Sequence, residues 1–295
     1  MTHTYEFIVY PPPESSGQTK LISMKKFLYF FGILALIAGL VSSCNKDDEN
    51  ENENKPSIPQ KRIAKLVKFP GDLDELSTIY EYDDKGRCIS STYTYDGNVG
   101  KENYAYEGNT MTNTSYSYDG DTSISIYTYN AKGYLESIKR EDKYNSYIYS
   151  YKYDNEGHLI SETIISGQHT STTTFEWGNG NVIKAIENYK SDFQESTETT
   201  IFKYTDQNHP TPIKNTAKLS VMETAYHIDI DPIYSNFGVS SKNLPVHVIE
   251  TFTDEEGTDT DEYSMEWVLD GDQYPITLNF KEENLDYIYF NAFWE

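Results

Sequence analysis

The sequence is poor in the features that most often announce a function. It has two cysteines, Cys44 and Cys88, and once Cys44 is assigned to the leader described below, no pair is left for an intramolecular disulfide. Basic residues are scarce, with 24 Lys and Arg against 47 Asp and Glu and a formal charge of −23. Binding a phosphate backbone requires clustered Lys and Arg, so nucleic acid is excluded as a partner. No Gly-Xaa-Ser-Xaa-Gly or His-Glu-Xaa-Xaa-His pattern occurs, which removes the common signatures of serine hydrolases and zinc proteases. We expect no catalytic residues, no cofactor and no metal. Leu, Ile and Val are sparse beside 27 tyrosines, so aromatic rings must supply much of the buried area.

What is present begins with a leader. Met24 is followed by Lys25 and Lys26, an apolar run from Phe27 to Val41, and then Ser42-Ser43-Cys44, the three-part layout of a secretory signal. The run is shorter than the roughly 20 residues a membrane-spanning helix needs. Val41-Ser42-Ser43-Cys44 resembles the bacterial lipobox, which implies acylation of Cys44 (palmitate among the chains) and release of residues 24–43. Residues 1–23, with Pro11-Pro12-Pro13, read as an upstream extension ahead of the true start at Met24. Residues 44–59 are an acidic, disordered tether, because Asn45 to Asn54 holds no residue able to join a core. Lys46-Asp47-Asp48-Glu49 resembles the export signal of Bacteroidetes lipoproteins and implies the cell surface of the outer membrane, with the periplasmic face as the alternative. Losing residues 1–43 removes three lysines and two glutamates, which leaves the mature chain at −24.

Residues 60–295 form one all-β domain in this reading, with hairpin repeats over 60–206 and irregular strands over 207–295. Tyr80-Glu81-Tyr82, Tyr127-Thr128-Tyr129 and Tyr151-Lys152-Tyr153 are each followed by Asp or Asn, two further residues and a glycine; Phe175-Glu176-Trp177 and Phe202-Lys203-Tyr204 are degenerate copies. The second aromatics fall at 82, 106, 129, 153, 177 and 204, so one repeat is one hairpin. Two rings two residues apart share a strand face, and Asp or Asn followed by a left-handed glycine closes a turn. Asp96-Gly97 and Asp119-Gly120 suit two-residue turns between the longer ones. Alternation such as Tyr147, Tyr149, Tyr151 and Tyr153 against Ile148, Ser150 and Lys152 has the period of a strand, not a helix. The expected fold is a long antiparallel meander forming a barrel-like or strongly curved sheet, soluble and not membrane-inserted. Beyond 206, strands are expected at 219–230, 246–253, 261–269 and 274–280, with a short helix between 231 and 243.

The Tyr-Asp units resemble, locally, the tyrosine-aspartate repeats of Rhs-type surface proteins. Phe237-Gly-Val-Ser240-Ser-Lys242-Asn243-Leu244-Pro245, Tyr263-Ser-Met-Glu-Trp267 and Tyr274-Pro275-Ile276-Thr277 resemble a family of Bacteroidetes lipoproteins, a domain of unknown function with a porin-like fold, over about 60–295. That resemblance implies a many-stranded antiparallel barrel and no assigned activity.

Several clusters could carry chemistry. His227, Asp229 and Asp231 share a strand face as metal ligands could, but they read as a solvated face alternating with Ile228 and Ile230. Glu255, Glu256, Asp259, Asp261 and Glu262 lack calcium-loop spacing and read as an acidic loop. Tyr149, Tyr151, Tyr153, Trp177, Phe202 and Tyr204 are either core or, on an accessible face, a ligand surface in which rings with hydroxyls suit sugars. The expected function is a lipid-anchored binding or interaction module for a glycan, host polymer or protein. A carrier of apolar molecules in a half-open barrel and an envelope scaffold are the alternatives.

Overall fold

A computed structural model describes residues 61–143, 145–205, 211–221, 228–229, 237–282 and 285–295. The repeats become strands β1 Ile63–Lys68, β2 Leu76–Tyr82, β3 Cys88–Tyr95, β4 Asn98–Glu107, β5 Thr110–Tyr116, β6 Thr122–Tyr129, β7 Leu135–Glu141, β8 Ser146–Tyr153, β9 Leu159–Ser166, β10 His169–Gly178, β11 Asn181–Lys190 and β12 Glu195–Lys203. A connection then carries the short strands β13 Ile213–Lys214, β14 Ser220–Val221, β15 Ile228–Asp229 and β16 Asn243–Leu244. The meander resumes with β17 His247–Asp254, β18 Gly257–Leu269, β19 Pro275–Glu282 and β20 Leu285–Trp294. Every neighbouring pair is antiparallel. β12 pairs with β17 across the connection and β20 pairs back onto β1, so sixteen strands close into one barrel, while β13–β16 and β14–β15 form two small ladders outside it. Closure removes the unpaired strand edges that an open sheet would expose.

The long turns share one geometry. In 83–87 the Asp83 amide donates to the Arg87 carbonyl and Gly86 N–H to the Asp83 carbonyl, while the Asp83 carboxylate accepts from the Lys85 and Arg87 amides. Gly86 sits at φ 81°, where a side chain is strained. The turn at Asp154 repeats this arrangement. So does the turn at Asp270, which has no glycine at that position: Gln273 takes the left-handed conformation at φ 70°. Asp96-Gly97 is a two-residue turn, as expected. Asp119-Gly120 is not, because Ser117 replaces the aspartate of a five-residue turn closed by Ser117 N–H on Asp121 and Gly120 N–H on Ser117.

The five-residue turns at Asp83, Asn130, Asp154 and Asp270 lie at one end of the barrel, where β1 begins and β20 finishes; Arg62 and Glu295 exchange backbone hydrogen bonds there. Parts of the connection cover this end. Val239 N–H donates to Gly157, Lys242 N–H to Gly180, Val182 N–H to Ser241 Oγ and Thr216 Oγ1 to Gln273. No helix occurs among the described residues, and 237–243 is bent and extended. A helix there is ruled out by these backbone donors, which point at the barrel turns instead of along the segment. Residues 231–236 of that expectation, and all of 219–230 except 219–221 and 228–229, lie outside the described residues. Two barrel strands, β1 and β20, were not anticipated by the pattern.

Candidate functional site

The capped end carries a ring of aromatic clasps. Tyr82, Tyr106, Tyr153 and Tyr204 each donate the phenol O–H to the backbone carbonyl of a residue on the preceding barrel strand: Ile63 at 2.8 Å, Cys88 at 2.8 Å, Leu135 at 2.7 Å and Val182 at 2.6 Å. Trp177 and Trp294 do the same through the indole N–H, to Leu159 and Pro275, and Trp267 bonds Pro245 two residues ahead of β17, all at 2.7–2.8 Å. In five of the seven clasps the residue just before that acceptor packs on the clasping ring. The Arg62 and Arg87 guanidiniums lie over Tyr82 and Tyr106 at 5.6 and 4.4 Å; Tyr134, His158 and Tyr274 pack on Tyr153, Trp177 and Trp294 at 5.3, 4.4 and 4.9 Å between centroids. Burial raises the hydroxyl pKa of Tyr106, Tyr153 and Tyr204 well above the ordinary phenol value, so each stays a donor at neutral pH.

This accounts for three of the six residues singled out from the sequence. Tyr153, Trp177 and Tyr204 are clasps. The other three, Tyr149, Tyr151 and Phe202, are buried and face the barrel interior, with Phe237 of the connection packed edge-on against Tyr151 at 5.1 Å. The six do not form an exposed platform. Cys88, at the first position of β3, is fully buried. Of the His227, Asp229 and Asp231 set, only Asp229 falls within the described residues. Glu255 and Glu256 form the tip of the β17–β18 hairpin; Glu262 faces outward and pairs with His247, whereas Asp259 and Asp261 share the inward face of Glu250.

Sequence reasoning did not anticipate carboxylates on the inward face. Outward rows mix hydroxyls and charge with exposed aliphatics: Thr170, Thr172, Thr174 and Glu176 line β10 and Thr197, Thr199, Ile201 and Lys203 line β12, whereas β6 presents Ile124 and Ile126 and β8 presents Ile148. The inward face mixes rings with carboxylates. Glu102, buried on β4, accepts from Tyr104 at 2.7 Å and from Ser91 and Asn113 at 3.2 Å. Burial raises its carboxyl pKa, and these hydrogen bonds oppose the shift. On the other side, cross-strand partners make an inward row of Glu162, Thr173, Glu187, Glu198, Phe252 and Asp259. A second row holds Thr200, Glu250 and Asp261. Inward side chains are buried near the capped end and half-exposed or exposed toward the other; on β17 and β18 the series runs from buried Glu250 through Asp261 to exposed Asp259. The barrel interior is therefore open to solvent at the uncapped end. The loops there carry the exposed apolar tips Leu73, Tyr118 and Phe193, which are 91%, 58% and 83% exposed.

Asp154, Glu156 and His158 have donor atoms within 4.8 Å of one another. Their arrangement is that of the repeat turn, because Asp154 accepts from His158 Nδ1 at 2.9 Å as Asp83 accepts from Arg87 Nε at 2.8 Å.

No family model matches the chain, and no curated protein matches it. Among solved structures it is similar to a porin-like protein from Bacteroides uniformis, at 16% identity over 80% of this chain and 99% of that one, with a TM-score of 0.55. It is also similar to a porin-like protein from Bacteroides vulgatus, at 13% identity over 79% and 98%, with a TM-score of 0.54. At these identities the likeness is one of fold, a closed many-stranded antiparallel barrel.

Proposed function

We propose that this chain is a lipid-anchored envelope protein whose barrel stands in water outside the bilayer and acts as an interaction module, not a pore. The lysines spread over the outer wall are the observation that supports this. Each Lys or Arg placed on the lipid face near the bilayer midplane costs about 2–4 kcal/mol, and outward Lys101, Lys139, Lys152, Lys184 and Lys203 are spread over five strands. Polypeptide enters β1 at the capped end, so a tether running back to Cys44 brings that end toward the membrane and turns the open end away. At the open rim Tyr118 and Phe193 stand beside Asp119, Asp121 and Asp192; rings flanked by carboxylates suit a glycan or host polymer, which offers both apolar faces and hydroxyls. The polar lumen gives no support to a carrier of apolar molecules.

The test has two parts. Metabolic labelling with palmitate is expected to tag the wild-type protein and not Cys44→Ser. The unlipidated Cys44→Ser protein is expected to remain in the aqueous phase during vesicle flotation, without detergent. Insertion into vesicles with ion conductance would refute the reading. A glycan screen with Phe193→Ala as control addresses the partner, and absence of any binding there would leave an envelope scaffold.

A further inference from the structure

Three five-residue turns open with aspartate, and two of them hold a permanent cation against it. At Asp83 that cation is the Arg87 guanidinium, at 2.7–2.8 Å. At Asp270 it is a single ammonium: Lys61 Nζ stands 2.6 Å from Asp270 Oδ2 and 2.6 Å from Asp272 Oδ2, so the carboxylates of the first and third turn positions grip one cation between them. Asp154 and Glu156 occupy the same two positions of the third turn. No Lys or Arg among the described residues comes within 4.0 Å of either carboxylate; Lys132, on the neighbouring turn, donates instead to the Asn155 carbonyl at 3.1 Å. The fifth position, where the Asp83 turn has its arginine, is His158. Its Nδ1 lies 2.9 Å from Asp154 Oδ2 and 3.7 Å from Glu156 Oε2. Where the other two turns carry a fixed positive charge, this one brings together two carboxylates and a nitrogen able to offer a lone pair.

We propose that Asp154, Glu156 and His158 bind a divalent transition-metal ion of the zinc class, in the place that the Lys61 ammonium takes at the Asp270 turn. Ligands about 2.0–2.2 Å from such an ion stand about 2.8–3.6 Å from one another. The donor atoms here are 2.9 and 3.7 Å apart along two edges and within 4.8 Å throughout. Closing the longer edges requires movement of Glu156 alone, whose side chain is 79% exposed. The other two donors are already aimed. Asp154 Oδ1 accepts from the Glu156 and His158 amides at 2.9 Å, which leaves Oδ2 for the ion, and the His158 ring packs on Trp177, itself clasped to Leu159. Outer contacts of this kind fix the orientation of metal ligands. Two carboxylates balance the charge of the ion, and an imidazole ligand favours zinc and its neighbours over calcium and magnesium, which take oxygen. Three protein donors leave the remaining coordination positions to water. The ion serves structure: it replaces the hydrogen bond between Nδ1 and Oδ2 and stiffens the turn whose Gly157 carbonyl accepts from Val239 of the connection.

The experiment is calorimetric titration and thermal melting of the full chain in neutral detergent, stripped of metal with a chelator, with zinc chloride and calcium chloride as separate titrants. Zinc is expected to bind saturably at one site and raise Tm, and calcium at the same concentration to do neither. Glu156→Gln should melt as wild type without zinc and bind zinc at least tenfold more weakly, since loss of even an outer partner of a metal ligand costs that much. His158→Arg rebuilds the turn of Asp83 and Arg87, so it should melt at or above metal-free wild type and lose the zinc response. His247→Ala, which removes another histidine set beside a carboxylate, that of Glu262, should bind as wild type. Copper(II) in place of zinc should quench part of the tryptophan emission of wild type, because Trp177 lies against His158, and should not do so in His158→Arg. Absence of saturable zinc binding, binding kept in both Glu156→Gln and His158→Arg, an equal loss in His247→Ala, or a calcium response matching that to zinc would overturn the proposal.

Discussion

Removing single hydroxyls from the clasps is the most direct probe of what holds the barrel closed. Tyr82→Phe, Tyr106→Phe, Tyr153→Phe and Tyr204→Phe each delete one O–H···O=C bond of 2.6–2.8 Å, with Tyr204→Phe also losing a 3.4 Å contact to Ser241 Oγ, and leave the ring and the strand pairing in place. An intramolecular hydrogen bond contributes about 0.5–1.5 kcal/mol net, and an acceptor left dry adds to the cost, so each substitution should destabilise the barrel by about 1–2 kcal/mol. For a barrel of this size, 1 kcal/mol is about 2–4 °C in Tm, which places the expected shift at roughly 2–8 °C. Urea unfolding should show a lower midpoint with an unchanged slope, since the exposed surface does not change. Tyr116→Phe, on the exposed outer wall, is the control and should lie within about 0.5 kcal/mol of wild type. Tyr82 and Tyr204 serve different strand pairs and share no partner, so the double variant should be additive within about 0.5 kcal/mol. If the four clasp variants melt with Tyr116→Phe, the rings act through packing alone and the clasp argument fails.

Three further outcomes follow from the turns, the cap and the phenols. Gln273→Gly should raise stability by about 0.5–1 kcal/mol, because a left-handed φ is strained for glutamine and free for glycine, whereas Gly157→Ala should cost about 2 kcal/mol or more, since φ is 93° and a Cβ would stand 2.7 Å from the Tyr134 hydroxyl; melting of the pair in one buffer checks both signs. Gly238→Ala sets a Cβ 2.2 Å from the Gly157 carbonyl oxygen, so limited proteolysis should cut the connection near 238 faster while far-ultraviolet dichroism of the barrel is kept. The Tyr95 pKa is pushed up to about 12 by burial and by its hydrogen bond to Asp74, from an ordinary 10.0. Because the folded value is the higher one, its stabilising contribution is complete below pH 10 and is lost as pH rises through 12. Tm measured from pH 9 to 12 should fall less steeply in Tyr95→Phe, and an identical fall would show that Tyr95 is not among the groups responsible.

Much of this architecture was legible because one repeat is one hairpin. Aromatics two residues apart and a turn near every 24th position placed most strands from β2 to β12. The closing strands were not legible for separate reasons. β1, Ile63–Lys68, is short and precedes the first turn, while β20, Leu285–Trp294, follows the last one and lacks the Asp turn that marked the others. The turn at Asp270 escaped the pattern because its left-handed position holds Gln273. The clasp partners escaped it because Arg87, Tyr134 and His158 have little chemistry in common. Their shared feature is position, immediately before the first residue of a strand, and only the fold gives that position meaning.

The candidate site was harder to see, and the repeat itself explains why. Most hairpins fix the same capped-end residues: an inward ring, a clasping ring, a turn Asp or Asn and a left-handed residue. Those positions read as a motif because the fold requires the same chemistry at each of them. At the open end no clasp or cap constrains the inward positions, and they differ from strand to strand, with Ser115 and Ser123 on β5 and β6 but Glu187 and Glu198 on β11 and β12. Period-two alternation separates two faces of a strand but does not say which is concave, so nothing in the sequence marked these carboxylates as inward. Closure sets them against one another inside a lumen while the lysines of the same strands face solvent. Binding specificity should therefore be sought in the half of each hairpin that varies, and the half that repeats should answer to stability.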